Sequence, residues 1–370
     1  MRLLGYFFCI KNRTLLIIVL MPLYIMAQHD TSHSSKKVHS ILLPLVTKSI
    51  ETNWSFGLAS ISTFKISKKD TVSRTSNVEA IAIYSLKKQF VAVINGNQYF
   101  KNEKLILTEQ ISYSSFPDKF WGIGNKTPSK AEESYSFQQY FIYAHLMRNL
   151  GNKLFIGGLA EFQNVMQLKY QQGGLFDKDN VAGRNGYRSA GLGVSLTYDK
   201  RNHAFAPNKG TFAQVFFTEY NQLFGSSYSF STLVVDIRKY LPIGKTQVLA
   251  LQTYSLNNIG NEIPIRNLAS LGGANSMRGY YNGRFRDHDL LVFQSEYRMH
   301  IWKRFGLAAF AGLGSVANNV NEYSFKNIKY SFGGGLRFAL NKSERLNLRI
   351  DYGIGSNNNK GLYFQIGEAF

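Results

Sequence analysis

From Ile41 onward the chain alternates apolar and polar residues in run after run. In 345–353, Leu346, Leu348, Ile350 and Tyr352 share one face, and Asn347, Arg349 and Asp351 share the other. In 326–340, Ile328, Tyr330, Phe332, Leu336 and Phe338 oppose Lys329, Ser331, Gly333, Gly335 and Arg337. In 288–302, Leu291, Phe293, Tyr297, Met299 and Ile301 oppose Gln294, Glu296, Arg298 and His300. A period of two marks a strand with unlike faces. The pattern predicts strands near 41–49, 54–66, 76–87, 88–99, 103–115, 135–149, 152–169, 187–199, 211–224, 227–241, 246–259, 288–302, 304–316, 326–340, 345–353 and 361–370. That makes 16 strands, with 12 or 14 the other counts the pattern admits.

Many of these runs reach 11–16 residues, against about 5–6 for an ordinary strand, which argues against an array of soluble sandwiches. An apolar face paired with a charged one over long strands is what a lipid-embedded barrel requires. Closure follows, because an open edge would leave backbone groups unpaired in hydrocarbon. The expected fold is therefore all-β, a transmembrane antiparallel β-barrel. Long loops fall at 116–134, 170–186, 260–287 and 317–325, and short turns at Pro242-Ile243-Gly244 and Lys303-Arg304. Long outside loops with short periplasmic turns are the convention of such barrels. The tight turn at Lys87-Lys88 departs from that parity.

Composition sharpens this picture. The 370 residues include 28 Phe and 22 Tyr, many for a chain of moderate hydrophobicity. No apolar run beyond the N-terminus reaches the length of a transmembrane helix. The first 27 residues read as an export signal: Arg2, Lys11 and Arg13 precede an apolar run from Thr14 to Ala27, with Ile25 at the −3 position. Residues 28–40 form a polar, flexible lead. The single Cys9 lies within the signal, so the exported chain carries no disulfide and no Cys-based metal site. Removing the three signal charges from the formal +20 leaves +17. Those charges are scattered one or two per strand or turn, which points to a barrel lumen and rims rather than to nucleic acid.

Enzyme motifs are absent. There is no Gly-x-Ser-x-Gly elbow, His-Glu-x-x-His or P-loop, and Gly244-Lys245-Thr246 lacks the upstream glycine. The seven histidines show no metal-ligand spacing. No catalytic residue, metal or cofactor is expected.

Three motifs remain. Met277-Arg278-Gly279-Tyr280 follows Gly272-Gly273 with five strands still to come. Tyr198-Asp199-Lys200-Arg201 precedes Pro207-Asn208-Lys209-Gly210 between two strands. The chain ends Phe364-Gln365-Ile366-Gly367-Glu368-Ala369-Phe370. In this order they resemble the barrel of the Omp85 superfamily, the BamA/TamA-like bacterial surface antigens: its Arg-Gly-aromatic loop tip, its Asp-x-Arg…Pro-x-x-Gly turn, and the aromatic-terminated insertion signal of outer-membrane barrels. Phe116 to Asn125 and Leu43-Pro44…Glu51-Thr52 look like patterns from Bacteroidetes members. The likeness covers 41–370 and is firmest from Gly191 onward.

The resemblance implies that Arg278, Gly279 and Tyr280 form a loop folded into the lumen, with Glu296 as a carboxylate for the arginine. A partly desolvated guanidinium needs such an acceptor. The family's second acid would fall at Gly312, which has no carboxylate. Gly333 and Gly335 would leave room for the loop. Asp199, Arg201, Pro207 and Gly210 would build a periplasmic turn, and Phe364, Ile366 and Phe370 would carry the insertion signal. About 13 residues separate the signal from the first strand, too few for a POTRA domain. The implied function is insertion or translocation of proteins, or of lipids, at the outer membrane; the alternative is a non-enzymatic pore or structural barrel. The implied partners are outer-membrane lipids, the barrel assembly machinery, client proteins and a separate periplasmic partner.

Overall fold

The structure, a computed structural model, describes residues 38–67, 70, 73–100, 102–203, 206–341 and 345–370. The expected signal (1–27) and residues 28–37 of the polar lead lie outside the described residues.

Sixteen antiparallel strands close into a barrel. They are β1 (Val38–Ser49), β2 (Asn53–Phe64), β3 (Ser76–Ser85), β4 (Phe90–Phe100), β5 (Leu105–Phe120), β6 (Glu133–Gly151), β7 (Leu154–Lys169), β8 (Tyr187–Asp199), β9 (Gly210–Tyr220), β10 (Phe230–Ile243), β11 (Gln247–Ile259), β14 (Asp289–Trp302), β15 (Phe305–Ala317), β16 (Lys329–Asn341), β17 (Leu346–Gly355) and β18 (Lys360–Ile366). Two short strands, β12 (Ala269–Leu271) and β13 (Phe285–Asp287), pair with each other within the long connection from β11 to β14.

The alternation read from the sequence becomes an outside and an inside. Ile94, Ile111, Val194, Phe217, Phe293 and Leu336 are exposed on the outer wall, whereas Gln252, Glu296, Arg349 and Asp351 are buried within. All sixteen expected strands are present, with shifted ends. The first begins at Val38, so residues 38–40 belong to a strand and not to the flexible lead. The strand expected to reach 224 ends at Tyr220, because Gln222–Phe224 closes a 3₁₀ turn capped by the Asn221 side chain. Pro242 and Ile243, expected in a turn, pair with Val248 and Gln247 at the end of β10. The loop expected at 116–134 contracts to 121–132, because Phe116–Phe120 continue β5 opposite Phe137–Glu133.

The three longest connections, 121–132, 170–186 and 260–288, lie at one rim together with 221–229 and 318–328. The tight turns at 50–52 and 86–89 share that rim, which explains the broken parity near Lys87. Inside this end, Phe120, Tyr135, Phe137, Tyr187, Tyr220 and Phe230 of the wall pack against Phe176 and Val181 of one loop and Ile263, Ile265 and Leu268 of another. The lumen is therefore filled by the chain's own loops at this level.

The last strand departs from expectation. β18 stops at Ile366, and Gly367 adopts a positive φ of 88°. Glu368 is drawn inward by Arg337 Nε (2.9 Å) and Asn347 Nδ2 (2.6 Å). Phe370 is consequently buried beside Tyr240 and Ala250, and does not continue the face of Phe364 and Ile366. Among the described residues, closure between β1 and β18 rests on one register pair, Lys48↔Phe364. Phe364 also meets the Trp54 ring across this seam, at 6.4 Å between centroids.

Candidate functional site

The connection from β11 to β14 folds back into the barrel, and its tip, 272–284, lies between β12 and β13. Glycine chemistry makes the fold-back feasible: Gly272, Gly273 and Gly279 all have φ between 111° and 117°, where side-chain-bearing residues are strained. A Cβ on Gly279 would lie 2.9 Å from the backbone of β17.

Arg278 occupies the centre, 2 % exposed. Its Nη2 donates to Glu296 Oε2 (2.5 Å) on β14 and its Nη1 to Asp351 Oδ2 (2.6 Å) on β17. The guanidinium carbon lies 3.5 Å above the centre of the Phe310 ring. The two carboxylates are shared. Glu296 also accepts from Arg298 (2.7 Å) and Arg337 (3.3 Å), and Asp351 from Arg337 (2.5 Å) and Arg349 (3.0 Å). Glu368 completes the network through Arg337. Such charges stay buried only when they are paired and hydrogen-bonded.

Backbone contacts fix the rest of the tip. Ser331 Oγ donates to the Arg278 carbonyl (2.8 Å), and Gly279 N–H donates to Tyr363 Oη (3.0 Å). Arg349 Nη1 donates to the Ala274 carbonyl (3.0 Å). Tyr280 is fully buried, donates to the Tyr330 carbonyl (2.9 Å) and accepts from Ser356 N–H (2.7 Å). Asn282 N–H reaches the Glu51 carboxylate (2.8 Å) in the turn after β1. The tip thus bonds to β14, β16, β17 and β18 and to the first turn.

Arg278, Gly279, Tyr280 and Glu296 are brought together as the sequence suggested. The second carboxylate is not on the strand after Glu296: Asp351, three strands on, takes that place. Gly312 serves instead as space, since a Cβ there would stand 3.0 Å from Met277 Sδ. The expected roles of Gly333 and Gly335 also change. A Cβ on Gly333 would strike the Phe310 ring (2.6 Å), and one on Gly335 would strike the Asp351 carboxylate (2.0 Å). The glycines that admit the loop are Gly353, against the Arg278 carbonyl (2.5 Å), and Gly355, against the Tyr280 ring (2.6 Å).

A second anchor, unforeseen from the sequence, holds the stem of this loop and the adjoining end of its tip to the opposite wall. Asp118 on β5 accepts from Tyr281 Oη (2.9 Å) and Tyr135 Oη (2.9 Å), and pairs with Arg266 and Arg286 at 3.4 Å each. Burial, then the adjacent Asp118 charge, raises the Tyr281 hydroxyl pKa, so it stays protonated and donates. Gly124 N–H adds a backbone bond to the Arg286 carbonyl (2.7 Å), and Arg284 donates to Thr127 (2.9 Å).

The turn motif lies between β8 and β9 at the opposite rim, apart from the loop. Arg201 forks onto Asp199 through Nε (2.9 Å) and Nη2 (3.0 Å) and covers the Phe212 ring (4.4 Å). Pro207 is buried, and a Cβ on Gly210 would fall 2.2 Å from the Lys200 carbonyl. Arg74 links this turn to its neighbours by bonding both Asp199 (3.2 Å) and Glu103 (3.0 Å).

A closed antiparallel barrel, apolar outside and filled by a loop pinned to its inner wall, defines a plugged transmembrane β-barrel. Residues 62–370 match the Omp85 superfamily domain, and the chain belongs to that superfamily. Among solved structures it is similar to BamA from Haemophilus ducreyi lacking POTRA domains 1-3, with a TM-score of 0.60 at 13% identity over 90% of this chain and 70% of that one. It is also similar to CdiB from Escherichia coli (TM-score 0.59, 11% identity, 91% and 64% covered) and CdiB from Acinetobacter baumannii (0.57, 12%, 90% and 60%). The chain therefore spans less than two thirds of either CdiB structure. No curated protein matches it in sequence.

Proposed function

We propose that this barrel inserts or translocates proteins at the outer membrane of a Gram-negative bacterium, with lipid as a second class of cargo. The observation that carries the reading is the seam. Among the described residues β1 pairs with β18 only at Lys48↔Phe364, so Val38–Thr47, fully paired with β2, meets no described ladder partner on its other side. An unpaired edge is a template for an incoming strand, by β-augmentation. The Arg278 loop acts as the latch that keeps the lumen filled and the wall beside the seam rigid. Client outer-membrane proteins are the partners this implies, together with the assembly machinery that installs the barrel itself and a periplasmic partner that delivers cargo.

The test compares the outer-membrane proteome of a deletion strain complemented with wild type, with Arg278→Ala, or with Lys48→Cys/Phe364→Cys. Directly opposed residues are close enough for a disulfide, and Cys9 is the sole native cysteine. A set of outer-membrane proteins lost on deletion should return with wild type and with the reduced double-cysteine barrel, but not with the oxidised one. A proteome indifferent to deletion would discard the insertion reading and leave a passive pore or structural barrel, for which steady bilayer conductance is the signature.

A further inference from the structure

The outer face of the seam carries a feature that insertion does not require. Above the single rung Lys48↔Phe364, β1 ends at Ser49 while β18 continues to Lys360. The strands part there, leaving a wedge of about 400 Å³ at the long-loop rim. Its walls include Lys48, Lys87 and Lys360, with Ile50, Tyr352 and Leu362 as the apolar part. Tyr352 and Leu362 are exposed on the outer wall of the barrel, so the wedge opens sideways toward lipid.

Three ammonium groups line one small space, and among the described residues none forms a salt bridge with a carboxylate. Lys87 donates to the Ile50 carbonyl (2.6 Å), and Lys48 lies over the Trp54 ring (4.9 Å). Glu51, in the adjoining turn, directs its carboxylate inward to the Asn282 amide. Burial and then the nearby Lys119 charge lower the Lys87 pKa, outweighing the opposing pull of the Glu51, Glu132 and Asp118 carboxylates. Long loops mark the external rim of such barrels, so the wedge sits at the headgroup level of the outer leaflet. We propose that it binds the phosphate-bearing headgroup of an outer-leaflet lipid, whose acyl chain lies along Tyr352 and Leu362. A soluble anion would gain nothing from those two side chains, whereas a lipid uses both the cationic and the apolar walls. The proposal rests on the membrane placement of the barrel and not on its insertion activity, so the two are tested separately.

Native mass spectrometry of the barrel in neutral detergent, titrated with a diphosphorylated lipid A, is the direct test. One tightly retained lipid is expected. Lys48→Gln/Lys87→Gln/Lys360→Gln should weaken retention roughly a hundredfold, from a factor of about five per cation at an anionic surface. The matching triple Arg variant should keep retention, and so should Lys130→Gln/Lys178→Gln, which removes two exposed lysines of other loops at the same rim. Equal retention of the dephosphorylated lipid, or unchanged retention in the triple Gln variant, would overturn the proposal. Inorganic phosphate binding as tightly as the lipid would overturn it too, by reassigning the wedge to a soluble anion.

Discussion

Arg278 sits in a network of four arginines and three side-chain carboxylates: Arg278, Arg298, Arg337 and Arg349 against Glu296, Asp351 and Glu368. That ratio ranks the substitutions. Arg278→Ala leaves the remaining charges balanced, so its cost should fall at the low end for a broken buried pair, about 3 kcal/mol. Glu296→Gln leaves four cations facing two anions and should cost more, about 5 kcal/mol. The temperature at which each variant loses its folded, heat-modifiable electrophoretic form reads this order, and the reverse order would contradict it. Gly353→Ala should act from the other side, since its methyl meets the Arg278 carbonyl at 2.5 Å. It should release the tip to protease without removing any charge. Arg278 and Glu296 were legible in the sequence because a motif and an alternating strand placed them. Asp351 was legible only as an inward residue, since alternation gives the face of a side chain and not its partner three strands away.

At the level of elements, the loop from β11 to β14 is fastened twice, at its tip to β14–β18 and along its stem to β5. Asp118→Asn removes the charge that Arg266 and Arg286 share and, with one oxygen in place of two, keeps an acceptor for only one of Tyr135 and Tyr281. The stem should then become accessible within 260–287 while the barrel retains its heat-modifiable shift. Limited proteolysis with mapped cleavage sites distinguishes this from global loosening. Asp118 escaped the sequence reading because Phe116–Phe120 follow a polar stretch and contain a proline, features of a loop. Pairing with Phe137–Glu133 keeps them in the ladder. The strand boundaries near the N-terminus were faint for a related reason. In β3 and β4 the lumen side carries Ile81, Ile83, Val91 and Val93, and the outer side Ala80, Ala82, Ala92 and Ile94. Two apolar faces leave little alternation to read.

Across the whole molecule the wall is uneven in height. β5, β6 and β7 run 16, 19 and 16 residues, whereas β18 has 7. At about 3.3 Å per residue and a tilt near 45°, seven residues climb about 16 Å, short of the ~25 Å apolar band of such barrels. A bilayer must thin to meet that flank, at a cost of fractions of a kcal/mol per Å. The mismatch is local, so the barrel distinguishes its lipid neighbours by direction: ordinary chains fit the tall side, and short or disordered chains gather where β18 meets β1. Lengthening the acyl chains of a reconstituted bilayer should therefore raise amide exchange in Val38–Thr47 before it affects β5–β7. A barrel built this way carries its own compass in the membrane, with the softest lipid always lying against the weakest join.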